Sequence, residues 1–286
     1  MVCGVDFSIA LAHAMSTIGT CGFSTYDDST MHFHNLPFEL WTALFMFLAG
    51  GSFSLYYRAY VKGPAVILHN TEFRTYFGIV LAATLLIALN LILSMGMDGS
   101  MAARVAIFQV TSLSTTGFVS ADFETWPTFS KMVLLLLMVI GGCAGSTASG
   151  IKVARLILLV RNARAVVLQK LNPNRVVDIT LTGAHVDGAM LLRVGTFFFL
   201  YLAVIFVTAF LLAMDGLLPF DAVAVAITTI GNIGPAFGIV SATSTYAPLS
   251  DFSKAILCLT MLLGRLEIFT LLILLQPSFW RRTHRW

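Results

Sequence analysis

Thr111-Ser112-Leu113-Ser114-Thr115-Thr116-Gly117-Phe118 has two counterparts in the chain, Ser16-Thr17-Ile18-Gly19-Thr20-Cys21-Gly22-Phe23 and Thr228-Thr229-Ile230-Gly231-Asn232-Ile233-Gly234-Pro235, which align on Gly22, Gly117 and Gly234. Each copy ends a segment of moderate apolarity: Phe7 to Ile18, Ala102 to Leu113 and Ala222 to Ile230. These segments are too short to cross a hydrocarbon core about 30 Å thick, which takes about 20 helical residues. Half-length helices followed by non-helical backbone are tolerated at membrane depth only where that backbone lines a watery path or is buried in protein. One such octapeptide alone reads as a helix cap or a turn. Three in the same context form an internal repeat, and the repeat reads as a pore.

Composition agrees with a membrane setting. Of 286 residues, 58% are hydrophobic and only 11% charged, and the mean hydropathy is +0.88; a water-soluble domain carries roughly 25% charged residues. Longer apolar runs predict spans at Pro37 to Tyr57, Tyr76 to Met97, Val194 to Met214 and Phe252 to Leu275. The last is stopped by Gln276-Pro277, with Trp280 as an interfacial anchor. Phe129 to Val160 is too long for one span and is interrupted by Gly141-Gly142-Cys143-Ala144-Gly145-Ser146-Thr147-Ala148-Ser149-Gly150, which predicts a broken helix. The fold class expected is an all-α membrane protein of repeated helix, pore-loop, helix units around a pseudo-fourfold pore.

Lysine and arginine set the orientation, because basic residues accumulate in cytoplasmic loops. Arg58, Lys62 and Arg74 share one connection; Arg155, Arg161, Arg164, Lys170, Arg175 and Arg193 share the next; Arg281, Arg282 and Arg285 form the tail. The opposite loops are mainly acidic, with Asp27, Asp28, Glu39, Asp98, Asp122, Glu124, Asp215, Asp221 and Asp251. The half-helices therefore enter from the outer face, and the acids there would concentrate cations at the mouth. The formal net charge of +3 implies no nucleic-acid partner. Cys3, Cys21, Cys143 and Cys258 have neither disulfide nor zinc spacing. Met1 to Ala14 has no basic region ahead of an apolar run, so no cleavable signal peptide is expected. No catalytic constellation is present, and no enzyme activity is expected.

The glycine segments suit cation passage. A dehydrated potassium ion exchanges its water shell for fixed oxygens, and carbonyls in an extended glycine-containing loop supply them. Glycine permits the backbone angles that turn successive carbonyls to one axis, and the C-terminal end of each half-helix adds partial negative charge. The ion-binding candidates are Thr20, Cys21 and Gly22; Thr115, Thr116 and Gly117; and Asn232, Ile233 and Gly234.

Three further features have competing readings. Gly141 and Gly145 form a GxxxG pair suited to helix packing, whereas the whole glycine run also suits a segment that unwinds. Arg265 lies inside an apolar span, where a charge costs roughly 2.5 to 3.5 kcal/mol; Glu267, two residues on, points to another helix face. His32 and His34 flank Phe33 without a further ligand and read as a solvated loop, and His13 reads as structural.

The stretch Phe108 to Phe118, with Ala121-Asp122-Phe123, Trp126-Pro127 and Ile140 to Lys152, resembles the third unit of pore subunits of the Trk/Ktr/HKT superfamily of potassium transporters. Ser16 to Thr25 is similar to the second unit's filter, and Asn232 to Pro235 with Gly264-Arg265-Leu266-Glu267 to the fourth. The resemblance implies units over residues 1–62, 63–175 and 176–286, with the first unit and the first span of the second outside this sequence. It implies potassium uptake across the cytoplasmic membrane, with K+ as the transported ion and no covalent cofactor. It also implies a homodimer in membrane lipid, docked through the basic segment Arg155 to Arg175 on a cytoplasmic nucleotide-binding regulatory subunit. Gly141, Gly142, Gly145, Ser146, Thr147, Gly150, Lys152 and Arg265 would form an intramembrane gate. A secondary cation transporter with broken helices, and a non-conducting scaffold or fragment, are the alternatives.

Overall fold

A computed structural model describes residues 4–173, 177–242, 244–266 and 268–280. Glu267, Arg175, Cys3 and the tail arginines lie outside the described residues. α1 (Phe7–Ile18) is the first half-helix, started by Asp6, whose side chain accepts from the Ser8 N–H. α2 (Leu36–Ala49) begins at Asn35, which caps the Phe38 N–H, with Pro37 in the first turn. It does not continue as one span to Tyr57. At Gly50-Gly51-Ser52 the chain turns by 90° into α3 (Phe53–Lys62), and the Tyr56 hydroxyl staples the bend by donating to the Leu48 carbonyl at 2.9 Å.

A short α4 (Ala65–His69) leads to α5 (Thr71–Met95), which is 25 residues long. Tyr76, Val80, Ala83, Ile87 and Leu91 form its buried stripe, while Phe77, Leu81, Leu85 and Leu89 are exposed. This is the three-and-four spacing of a helix with one protein-facing side, and its apolar outer side suits lipid. α6 (Gly99–Thr111) is the second half-helix and runs on through a π-helical turn, Ser112–Thr116. The predicted broken helix is present as α7 (Thr128–Ile140) and α8 (Val153–Leu171).

A small antiparallel hairpin follows, β1 (Thr180–Leu181) with β2 (Ala184–His185), which the apolar pattern does not predict. α9 (Gly188–Met214) is the second long span, and α10 (Pro219–Ile230) is the third half-helix. α11 (Asp251–Arg265) and α12 (Ile268–Leu275) replace the single span expected over Phe252 to Leu275 and meet at 111°. Beyond α9, Asp215 accepts from the Ser250 and Ser253 hydroxyls, and these bonds hold its carboxyl below the usual carboxylate range. Among the described residues, two helices, or up to four spans if each bent pair is counted as one, are long and apolar enough to cross a membrane. The main core joins α5, α6, α7, α9 and α10, so two half-helices are enclosed by spans.

Candidate ion pathway

The ends of α1 and α10 are built alike. Gly19 and Gly231 return their N–H groups to Met15 and Ile227; Thr20 and Asn232 bond back to Thr17 and Thr229; Cys21 and Ile233 reach back five residues, to Ser16 at 2.9 Å and Thr228 at 3.0 Å. Thr20 and Asn232 both take left-handed conformations, with φ of 52° and 50°. The middle copy differs. Its helix winds one residue further, so the five-residue bond runs from Gly117 to Ser112 at 2.9 Å, and Thr115 is not left-handed.

Two of the three aligned glycines meet a neighbouring copy through the same contact. A methyl group on Gly22 would lie 2.5 Å from the Thr116 carbonyl oxygen, and one on Gly117 would lie 1.7 Å from the Ile233 carbonyl oxygen. Each of these two thus abuts the carbonyl of the residue just before the next copy's glycine. Gly234 meets nothing within 4 Å. All three have positive φ, 70°, 103° and 106°, which side chains rarely adopt.

Among the described residues, no hydrogen bond outside the helices ends on the carbonyls of Thr20, Cys21, Gly22, Thr116, Gly117, Asn232 or Ile233. Gly234 O accepts from the Tyr246 hydroxyl. A row of unused carbonyls in a membrane interior is costly unless water or a cation fills the place. Thr20, Cys21, Gly22, Asn232, Ile233 and Gly234 line one cavity of about 450 Å³ that reaches Arg265.

Side chains behind these segments fix them. His13, buried, contacts Ser24 Oγ through Nε2 at 3.1 Å and stacks on Phe118 at 5.6 Å. Ser112 donates to the Phe118 carbonyl at 2.5 Å, and Thr228 to the Pro235 carbonyl at 2.8 Å. Glu39 and Arg104 form a two-pronged pair, 2.7 Å on each side, between α2 and α6. Glu124 pairs with Lys131 at 2.7 Å and accepts from the Gly238 N–H at 3.1 Å. His32 stacks on Tyr26 at 3.7 Å.

Every residue singled out in the glycine run belongs to one loop beside these segments. Gly141 has φ of 72°, Gly145 76°, Gly150 90° and Lys152 73°. Ile151 and Lys152 return their N–H groups to Val139 and Ile140, at 3.2 and 2.9 Å, and Val153 bonds Gly142 at 3.0 Å. The loop is thus pinched at its base. On one side Cys143 donates to Gly50 O at 2.7 Å, and Phe53 to Gly145 O at 3.1 Å, so the bend between α2 and α3 is its seat. Ser146 Oγ bonds back to Cys143 O at 2.6 Å.

At the tip, Thr147 Oγ1 donates to the Ile18 carbonyl at 2.9 Å. The Thr147 carbonyl accepts from Thr20 Oγ1 at 3.0 Å and from Arg265 Nη1 at 2.5 Å. Asn232 Nδ2 lies 3.3 Å from Ser149 Oγ. The loop therefore touches the first and third glycine segments at once, and Arg265, where α11 stops, is one of its tethers. Glu72, which the sequence reading passed over, accepts from the Ala144 N–H at 2.5 Å; an acid in the first turn of an apolar span was its only signal. Two residues of the basic segment are engaged inside the protein: Arg155 lies over the Phe197 ring at 4.0 Å, and Arg161 donates to the Thr180 carbonyl.

The family described as "TrkH: Cation transport protein" matches residues 5–282. The "Trk system potassium uptake protein TrkH" of Escherichia coli K12 is 34% identical over 284 residues, 97% of this chain and 58% of the relative. The protein of that name from Halomonas elongata is 33% identical, over 99% of this chain and 58% of the relative. The crystal structure of the potassium transporter TrkH from Vibrio parahaemolyticus superposes with a TM-score of 0.91 at 33% identity, covering 98% of this chain and 60% of that one. The chain thus spans little more than half the length of the relatives it matches. By family match, identity and superposed fold, it belongs to the TrkH family of cation transport proteins, all-α and membrane-embedded.

Proposed function

We propose that this chain takes part in potassium uptake across the cytoplasmic membrane, with the three glycine segments as sides of the ion-coordinating ring and the 141–152 loop as its gate. The observation that carries the reading is the repeated contact of Gly22 with Thr116 and of Gly117 with Ile233. It supports a common axis on which the unused carbonyls replace the water shell of a monovalent cation. Relatives named as potassium uptake proteins support potassium as that cation.

The tethers from Thr20 and Arg265 to Thr147 support the loop as an obstruction just below the ring. Arg265 opposes cations there by its charge. Residues 1–62, 63–175 and 176–286 are the three units of this reading, and pore subunits pair as homodimers. A cytoplasmic nucleotide-binding regulatory subunit docks on the basic segment of α8. Because Arg155 and Arg161 are engaged inside the protein, Arg164 and Lys170 carry the docking charge.

The test is growth and rubidium uptake at low external potassium, in cells without other potassium uptake systems, with the full-length protein expressed. Growth restored, together with uptake that potassium inhibits, is the expected result. Growth no better than without the protein overturns the proposal.

A further inference from the structure

Glu72 is the second residue of α5, half-buried at the start of a 25-residue apolar span. An ionised group there is costly unless it is put to use. Its Oε1 accepts from the Ala144 N–H at 2.5 Å, and the start of α8, at Lys152 and Ala154, lies close enough to act on the same carboxylate electrostatically. Ala144 lies on the outgoing limb of the looped-out segment, which is pinched between Ile140 and Lys152, and Ala154 lies in α8 just beyond its return. The carboxylate therefore holds the outgoing limb from beside the point where the segment returns. It also sits at the N-terminus of α8, where the helix dipole favours negative charge.

We infer that Glu72 is a positioning residue for the loop, a latch at its root that acts separately from the Arg265 tether at its tip. Among the described residues the two tethers have different partners: Arg265 holds the carbonyl of Thr147, whereas Glu72 holds the N–H of Ala144. Bonds to a charged acceptor are stronger than neutral ones, so neutralising Glu72 weakens its hold on the Ala144 N–H. With the root released, the Gly50 and Phe53 backbone bonds remain, so the loop stays seated but shifts more readily. The inference rests on the reading of the 141–152 loop as a gate.

The test compares Glu72→Gln, Glu72→Ala and Glu72→Asp in the full-length protein. Glu72→Gln keeps the side chain's shape, which guards against simple misfolding. Two quantities are read: basal rubidium uptake, with its preference over sodium, and the rate at which maleimide labels Ser146→Cys, less the labelling of the same Glu72 variant with Ser146 intact. Glu72→Ala is expected to raise basal uptake about tenfold, and Glu72→Gln by less, on the scale of one charge-assisted bond. Ion preference stays unchanged, labelling accelerates in parallel, and Glu72→Asp restores most of the wild-type behaviour. Unchanged labelling in both neutral variants overturns the inference, whether uptake falls or stays the same. If the wild-type protein carries no potassium, the pathway reading fails by itself, while the labelling rates still decide whether Glu72 latches the loop.

Discussion

The glycine segments and the loop beside them are both irregular backbone inside a helical membrane protein, yet they are held in opposite ways. The segments are wedged against one another, main chain on main chain, with no room for a methyl group between Gly22 and Thr116 or between Gly117 and Ile233. The loop hangs from a few side-chain bonds, those of Glu72, Thr147, Thr20 and Arg265, and rests on the backbone of Gly50 and Phe53. Backbone wedging cannot be undone without moving a whole half-helix. Side-chain tethers can be released one at a time. Under the proposed function, a coordinating ring that must keep its dimensions and an obstruction that must leave it need this difference.

Substitutions can break the contrast, and Gly117→Ala should do so most severely. Its new methyl group would stand 1.7 Å from the Ile233 carbonyl oxygen, and main chain cannot step aside as a flexible side chain does. Rubidium uptake should fall about 100-fold or more, on the scale of an over-packing cost of about 3 kcal/mol. Wild-type uptake in this variant would mean that the segments are not wedged.

A smaller effect of opposite sign is expected from Arg265→Gln. Losing one charged bond to the Thr147 carbonyl should raise basal uptake roughly fivefold while ion preference holds. A changed preference with unchanged basal rate would place Arg265 with the ring instead of the loop.

Gly234→Ala should be milder than Gly117→Ala. Nothing lies within 4 Å of the added methyl group, so only the positive φ opposes it, about 1–2 kcal/mol. Uptake should drop roughly 5- to 30-fold. A loss as complete as that of Gly117→Ala would show that backbone angle, not crowding, makes these positions glycine.

Much of this arrangement was legible in the sequence, because length and apolarity govern it. α1 covers the segment read as Phe7 to Ile18 residue for residue, and the Gly141 to Gly150 interruption falls inside the gap between α7 and α8. The bend at Gly50 was not legible: hydropathy runs smoothly from Pro37 to Tyr57, and the turn depends on Tyr56 and on the loop packed against it. Nor was the π-helical turn at Ser112–Thr116. The three octapeptides look equivalent as text, and only packing against neighbours winds the middle one a residue further. Glu72 escaped notice because one acid beside an apolar run resembles an ordinary interfacial residue, and its partners are main-chain groups that carry no letter code. Wedging of Gly22 and Gly117 is a property of pairs of units and is invisible in either one.

The pinch at the loop's base makes α7 and α8 neighbours, as if the intervening residues had been spliced out. α8 then extends 19 residues from that point, about 28 Å at 1.5 Å per residue. Were a rod of that length to pivot where Ile151 and Lys152 grip Val139 and Ile140, a tilt at its far end would arrive at the root of the loop. Under the proposed docking, a partner pulling on Arg164 or Lys170 would not need to reach the proposed pore at all; leverage would carry the message inward.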